Sequence, residues 1–331
     1  MTIALIFDKC RADTLGTYIE RACHALGVAC DHWWLRDAEQ IPATYDLYLR
    51  IDHGDDYLTA LPTHLHPAVF YAIDTHLPAS WRKIRRAAAN FDAICCCHHR
   101  GAERVPGALW LPVGCDWERH GDQGRPRTVD IAFVGMDGGI PRKFYLQALR
   151  ERYPNSVIGT ADHTRLGELY GQARIGFNYS IADDINMRMF EVLASGALLV
   201  TNHLAHGDLR ALGLEAGRQF VSYRTPTELF EQLDYFLKHP EERGHIAQAG
   251  CDAARQRHTY AHRLRQLFDH LARTLGVTIV PSRHGAPATA GGPSVAHQRT
   301  GGRDVAPSGV EMWSPGRAWG LHTQEAVACA S

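Results

Sequence analysis

Lysine is scarce in this chain: Lys9, Lys83, Lys143 and Lys238 are the only four in 331 residues. That argues against chemistry that needs a lysine-bound pyridoxal phosphate. Long apolar runs are missing as well. None approaches the ~20 residues that a membrane-spanning helix requires. The start, Met1 to Asp8, is too short for the apolar core of a signal peptide and reads as a first buried strand. Neither sign of charge dominates, with 35 basic and 36 acidic residues. Without a global field, nucleic acid is not an expected partner. Nine cysteines are present, but their irregular spacing in a chain of this size excludes a disulfide framework and suggests reduced thiols in the cytoplasm. Cys95-Cys96-Cys97-His98-His99 invites a metal reading. The apolar run Phe91 to Ile94 leads into it as a strand, however, so successive side chains alternate between faces and three consecutive ligands could not converge on one ion. A DxD triplet is also lacking, and no metal ligands are assigned.

What is present is alternation. Strand-like apolar runs at 2–7, 28–35, 46–51, 68–73, 91–97 and 107–111 are interleaved with helical patterns at 13–26, 79–90 and part of 98–105. A second series of strands follows at 129–134, 155–159, 174–179, 197–201 and 218–222. Helices separate these at 141–152, 163–172, 187–195 and 206–212. Strand–helix alternation implies parallel sheets covered on both faces, and two series imply two doubly wound Rossmann-like α/β domains. The expected division is 1–117 for the first domain and 118–281 for the second, with the polar segment 115–128 as linker. Helices at 226–238, 240–256 and 259–275 close the second domain. From 282 to 331 the sequence is rich in Gly, Pro, Ala, Ser and Thr and too poor in large aliphatics to offset ordering entropy; it is expected to be a disordered tail. Trp313 and Trp319 are its only hints of a binding segment.

The most informative stretch is Asp183 to Thr201. Asn186 is a good N-cap; Met187, Phe190, Leu193 and Ala194 make the apolar stripe of a short helix, and Gly196 stops it before the strand 197–201. Arg188 and Glu191, three apart, share a face that opens toward Asp183 and Asp184. A cation, acids and free N–H groups at a helix start suit a diphosphate with nearby hydroxyls. Taken singly, these residues read equally well as a cap and a solvated ion pair. Upstream, the strand 129–134 runs into Gly135, Asp137-Gly138-Gly139 and Pro141-Arg142-Lys143. Glycines there let backbone approach a ligand, Arg142 can fork two phosphate oxygens, and Lys143 would act as a point charge.

In order and spacing, Ile131 to Gly135, Arg142, Ala173 to Asn178, Met187 to Glu191, Ala194-Ser195-Gly196, the run Pro240 to Gly250, and His258-Thr259-Tyr260 with Arg263 resemble the C-terminal domain of GT-B glycosyltransferases. The group they resemble is the bacterial one related to the spore-maturation protein CgeB, among the glycosyl transferases group 1. The likeness covers roughly 128–272; Ser80 to Asp92 and Leu111 to Gly114 match more loosely. It implies a GT-B architecture, two Rossmann-like domains facing across a cleft with C-terminal helices crossing back. It implies a nucleotide-sugar donor as co-substrate, with no other cofactor, and a retaining, metal-independent transfer in which the leaving phosphate takes the acceptor proton. Gly135, Arg142, Lys143, Asn178, Asp184 and Glu191 would then bind the donor, and Arg188 would stabilise the departing diphosphate. Retaining relatives carry two glutamates with seven residues between them. Here Glu191 keeps the second place and Asp183, one methylene shorter, holds the first; Asp184 is the alternative.

The acceptor is expected on the N-terminal domain, which is rich in His, Trp and Tyr at strand ends: His32-Trp33-Trp34, Asp52-His53 with Tyr57, and Asp74-Thr75-His76. Asp74 and His76 follow an apolar strand, where cleft residues sit, and the resemblance gives them a catalytic place beside Arg188 and Asp183. A saccharide, a lipid-linked sugar or a protein would all fit such a surface. Arg82, Lys83, Arg85 and Arg86 around Trp81 and Ile84 offer a peripheral contact with an anionic inner membrane face, although such a run also reads as a solvated helix face. Two other functions fit the same residues: a non-catalytic sugar or nucleotide binder, and a sugar-nucleotide epimerase on the same fold.

Overall fold

The computed structural model describes residues 2–9, 14–52, 61–78, 84–86, 88–279 and 311–312. Mostly apolar pentapeptides make the first strands: β1 (Thr2–Ile6), β3 (Leu47–Ile51), which also buries Arg50, and β4 (Ala68–Ala72), the last two buried along their whole length. With β2 (Ala29–Trp33), β5 (Ala93–Cys96) and β6 (Leu109–Trp110) they form a parallel sheet in the order β2-β1-β3-β4-β5-β6. The second sheet holds β7 (Val129–Val134), β8 (Ser156–Thr160), β9 (Ala173–Asn178), β10 (Leu198–Asn202) and β11 (Val221–Tyr223), all parallel. A two-residue antiparallel strand, β12 (Glu311–Met312), completes the order β11-β10-β9-β7-β8-β12. Burial on both faces is what a parallel sheet needs, and it explains why these strands read as continuous apolar runs. Two doubly wound α/β domains are therefore present, as expected.

Departures are local. The segment 115–128 is not a plain connector: it holds the helix Trp117–His120, capped by Asp116, and Arg21 of the first domain pairs with Asp116. The expected helix 163–172 divides into a 3-10 turn, His163–Arg165, and the helix Leu166–Gly171. Another 3-10 segment, Leu35–Gln40, follows β2. Of the expected helix 79–90, only 84–86 and 88–90 fall among the described residues. Ile84 there is buried beside Phe70 and Ala72, whereas Arg85 and Arg86 are exposed. His53, Tyr57, Trp81, Arg82, Lys83 and the tail apart from Glu311 and Met312 lie outside them. Those two residues pair with Thr160 and Gly159, so that short piece of the expected tail is a strand.

Three helices, Pro226–Lys238, Pro240–Arg257 and Tyr260–Thr274, end the second domain. The last returns to the first domain. Thr259 caps it, the Tyr260 N–H donates to the Cys115 carbonyl, and Cys115 N–H donates to the His258 carbonyl at 3.0 Å. Tyr260 stacks on Tyr18 with ring centroids 5.3 Å apart. Arg263, buried here, gives Nε to the Val113 carbonyl and Nη2 to His258 Nδ1. One apolar core runs from β1 and β3 through this crossing to Met189, Phe190 and Leu193. The two sheets are thus seated on a shared core, and their strand ends face one another.

Candidate active site

A cavity of about 320 Å³ opens at the carboxyl ends of β7, β8 and β9, the edge where open α/β sheets bind ligands. Gly135, Arg142, Asp184, Asn186, Arg188 and Glu191 supply its polar lining. Val134, Ala161, His163, Leu166 and Met187 form the remainder. The volume lies within the range usual for small-molecule sites.

Each polar group has a local cause. The helix Met187–Ala194 starts at Asn186, whose side chain accepts from Met189 N–H, and it ends before Gly196 at φ +70°. Its first turn therefore points free N–H groups and Arg188 into the cavity. Arg188 is held from three sides: Nε donates to the Val134 carbonyl at 3.0 Å, Nη1 donates to Asn178 Oδ1 at 3.0 Å, and the guanidinium lies 4.3 Å from the Phe133 ring centroid. A Cβ on Gly135, at φ +143°, would collide with Arg188 Nη2, so glycine is required there by both space and backbone. Arg142 begins the helix Arg142–Arg152, and its Nε donates to the Tyr179 carbonyl at 3.0 Å. Burial lowers the Arg142 pKa first, and the Arg188 charge adds to that. The two cations press on each other, a repulsion that a bound anion would relieve. Glu191, 7 % exposed, stands at the cavity one turn inside the helix.

Opposite lies the first domain. Asp74 and His76 sit in the turn after β4, and His98 follows β5. His98 is buried; its Nε2 is 2.8 Å from Asp184 Oδ1, which joins the domains across the cleft. The rings of His76 and His98 are 4.1 Å apart between centroids. Two further pairs reach over beside it: His99 Nδ1 to Asp208 Oδ1 at 3.4 Å, and Arg100 Nη1 to His206 Nε2 at 3.0 Å. Burial, and then His98, bring the His76 pKa down to about 4, so its imidazole is neutral at pH 7. The Asp74 carboxyl is held above its ordinary range by burial and by Asp184. Asp74, Ala182 and Asp183 all take positive φ (52°, 55° and 60°), an uncommon backbone for residues with a Cβ, and the kind of outlier found at ligand sites.

This arrangement can be set beside known proteins. Residues 130–269 match the family described as glycosyl transferase-like. Curated protein sequences give no match. Among solved structures, Anabaena Alr3699/HepE in complex with UDP and glucose is similar, with 11 % identity and a TM-score of 0.59 over 82 % of this chain and 100 % of that one. The T4 phage BGT in complex with UDP-glucose aligns over 83 % of this chain and 99 % of its own, with 13 % identity and a TM-score of 0.53. Sucrose-phosphate synthase (tll1590) from Thermosynechococcus elongatus aligns over 83 % and 99 %, with 12 % identity and a TM-score of 0.57. At such identities the likeness concerns the fold. The fold is GT-B.

Within that GT-B frame the expected residues divide. Gly135, Arg142, Asp184, Arg188 and Glu191 line one cavity. Asn178 stands behind it, fully buried, orienting Arg188 while donating to Thr201 and Ser180. Lys143 is exposed and is not part of the wall; it follows Arg142 on a helix, and roughly 100° of rotation per residue turns it away. Asp183 is also outside the wall: Oδ1 accepts from Ala205 N–H at 3.3 Å and Oδ2 is 3.4 Å from His206 Nε2. Asp184 is the acid at the cavity. Asp74 and His76 face it from the first domain through His98. Sequence reasoning did not select His98 or His163. For His98 a signal existed, since it stands immediately after an apolar strand, as Asp74 and His76 do. The thiols before it, Cys95, Cys96 and Cys97, are buried and their pKa values are raised by that burial, which makes them packing groups.

Proposed function

We propose that the protein is a glycosyltransferase of the CgeB-like group that moves a sugar from a nucleotide-sugar donor to an acceptor held by the first domain. The observation that carries this reading is the convergence of Arg142, Arg188 and the helix start at Asn186 on one cavity that also contains Glu191. Two guanidinium groups fixed by carbonyls, with free N–H groups between them, match a diphosphate. Glu191 then accepts from ribose hydroxyls. The names of two structural neighbours support a donor of this class, since HepE is bound to UDP and glucose and the T4 phage enzyme to UDP-glucose.

In the transfer itself, negative charge grows on the leaving diphosphate as the glycosidic bond breaks. Arg188 and Arg142 are pre-positioned for that charge, and fixed donors of this kind are worth about 3–4 kcal/mol each in a transition state. Positive charge from arginine makes a divalent cation unnecessary for the chemistry. In a retaining course the leaving phosphate takes the acceptor proton, and no side-chain nucleophile is needed. Asp184 then takes the sugar-facing place that Asp183 occupies by spacing, with Asp74 and His76 on the acceptor side. The acceptor is a saccharide, a lipid-linked sugar or a protein, met in the cytoplasm or at the inner membrane face.

Melting curves with a panel of nucleoside diphosphates test the reading. Binding to the folded state stabilises it by mass action, so one diphosphate should raise Tm and its sugar conjugate should be hydrolysed slowly without acceptor. No shift with any nucleoside diphosphate would remove the donor reading. A shift without hydrolysis or transfer would leave a sugar-nucleotide binder.

A further inference from the structure

We propose that His76, His98 and Asp184 form a divalent-cation site that clasps the two domains across the mouth of the cleft, selective for borderline cations of the Zn2+ class. Each of the three offers one ligand atom, and these atoms all lie within 4.8 Å of one another. The ligands come from three separate segments: the turn after β4, the end of β5, and the loop before the helix Met187–Ala194. Ligand atoms on a tetrahedral cation with bonds of about 2.0–2.2 Å stand roughly 3.3–3.6 Å apart. A small side-chain rotation therefore suffices. The His98 Nε2 to Asp184 Oδ1 separation, 2.8 Å, is already below that range.

Hydrogen bonding around His98 sets the ring so that a cation can be held at this point. Thr75 Oγ1 accepts from the His98 backbone N–H at 3.1 Å and also lies 3.2 Å from His98 Nδ1. In one tautomer the hydroxyl accepts Nδ1–H and leaves the Nε2 lone pair free to ligate a cation; in the other Nε2–H donates to Asp184 and the hydroxyl donates to Nδ1. His76 Nδ1 stands on the other side, 3.4 Å from His98 Nδ1. A cation held by His98 Nε2 and Asp184 would take the place between them that a ring hydrogen otherwise occupies. Thr75, fully buried, is the outer partner that fixes ring and tautomer at ligating histidines. Two imidazoles and one carboxylate favour Zn2+, Co2+ or Ni2+ over the hard cations Mg2+ and Ca2+. Three protein ligands leave a fourth position open.

Neither Arg142 nor Arg188 takes part, so the site does not depend on the donor reading. Loaded, it would tie the first domain to Asp184 and occupy both that acid and His76, so it would act as a closing clasp over the proposed transfer site.

Titration of Co2+ alone into the untagged full chain at neutral pH, without nucleotide, is the test, followed by visible absorption and calorimetry. The expected result is one saturable site with the visible bands of low-coordinate cobalt, displaced by Zn2+. His76→Gln and Asp184→Asn should each weaken it at least about tenfold, and Thr75→Val should weaken it about tenfold while leaving all three ligands in place. His76 is only half-buried, so His76→Gln should melt as the native chain does in the absence of metal, and it decides the matter if the other variants fold poorly. Absence of a saturable site in the native chain would overturn the proposal, as would unchanged affinity in His76→Gln; either result would leave the His98–Asp184 pair bridged by a proton.

Discussion

The two walls of the cleft are built by different means. On the second domain, cations are fastened to the framework: Arg188 to the Val134 carbonyl and Asn178, and Arg142 to the Tyr179 carbonyl. On the first domain, imidazoles and carboxylates sit at strand ends and turns, with Asp74 in left-handed backbone. If the second wall holds a diphosphate, as proposed, it meets the same group in every nucleotide-sugar and can be rigid, made from a strand end and one helix turn. Acceptors differ, and a wall made of loop residues changes without disturbing a sheet. On the proposed reading, phosphate charge would be met by groups fixed on secondary structure and the acceptor by residues in the connections.

Removing Arg188 should break the comparison most severely. If it meets charge that grows during bond cleavage, as proposed, Arg188→Ala should lower kcat by about 10²–10³-fold and raise donor KM much less. Arg188→Lys keeps the charge but loses the planar fork that meets Val134 and Asn178, so it should restore only part of the rate. Steady-state kinetics on the three proteins, with melting curves as control, provide the check. A near-native rate in Arg188→Ala would leave that residue as a brace of β7 and return the chain to the binding-protein reading.

Acid should separate the seam below the cleft from the walls above it. His120 is buried beside Tyr18 with its pKa brought down to about 4, chiefly by burial, and His258 is brought down to about 3 by burial and then Arg263. The unfolded chain takes up protons on these histidines near pH 6.5, before the folded chain does. Between pH 6.5 and about 4 the unfolded state therefore holds more protons, and stability falls as pH falls. For His120 the loss is on the order of 3 kcal/mol across that window, with no further loss below it. Urea midpoints measured from pH 7 to 4 should decline, and His120→Gln should flatten part of the slope. A flat native profile would contradict a neutral buried His120.

Glu191→Gln sharpens the comparison within the second wall alone. A carboxylate accepting from ribose is charge-assisted, and its amide loses both an acceptor and that assistance. Affinity for the cognate diphosphate should drop about tenfold with Tm little changed. Calorimetric titration giving native affinity would make Glu191 a structural residue of the helix.

How much of this could be read beforehand follows the same division. Strands β1, β3, β4, β7 and β10 are mostly apolar and lie within a residue or two of their expected bounds, because burial on both faces leaves little ambiguity of period. The cap at Asn186, the stop at Gly196 and the stripe Met187–Phe190–Leu193 were equally legible. Asp183 was misleading: the count of seven residues to Glu191 pointed to it, but the backbone turns its carboxylate toward Ala205 and His206 and leaves Asp184 at the cavity. Spacing along a loop does not determine side-chain direction. His98 was obscured by the cysteines before it, whose burial is a packing matter unrelated to the histidine that ends the strand. The pairing of β12 with β8 joins residues about 150 apart in sequence across two positions with no shared pattern, and nothing local announces it.

The smallest effect should come from Lys143, and it is informative because Arg142 stands next to it. Both are cations at one helix start, and composition alone treats them alike. Arg142 is half-buried, tied to Tyr179 and part of the cavity wall, whereas Lys143 is exposed and outside it. An exposed charge about a Debye length from an anion is largely screened at physiological salt. Lys143→Ala should therefore change donor affinity by less than about twofold and fade to nothing as salt is raised. Arg142→Ala removes a fixed, desolvated donor and should weaken donor binding many times more, with little dependence on salt. Titrations of both variants at low and high ionic strength separate the cases. Equal losses would mean that the turn Gly135 to Pro141 rearranges on binding and brings Lys143 inward, and the rigid wall inferred for the second domain would have to be abandoned.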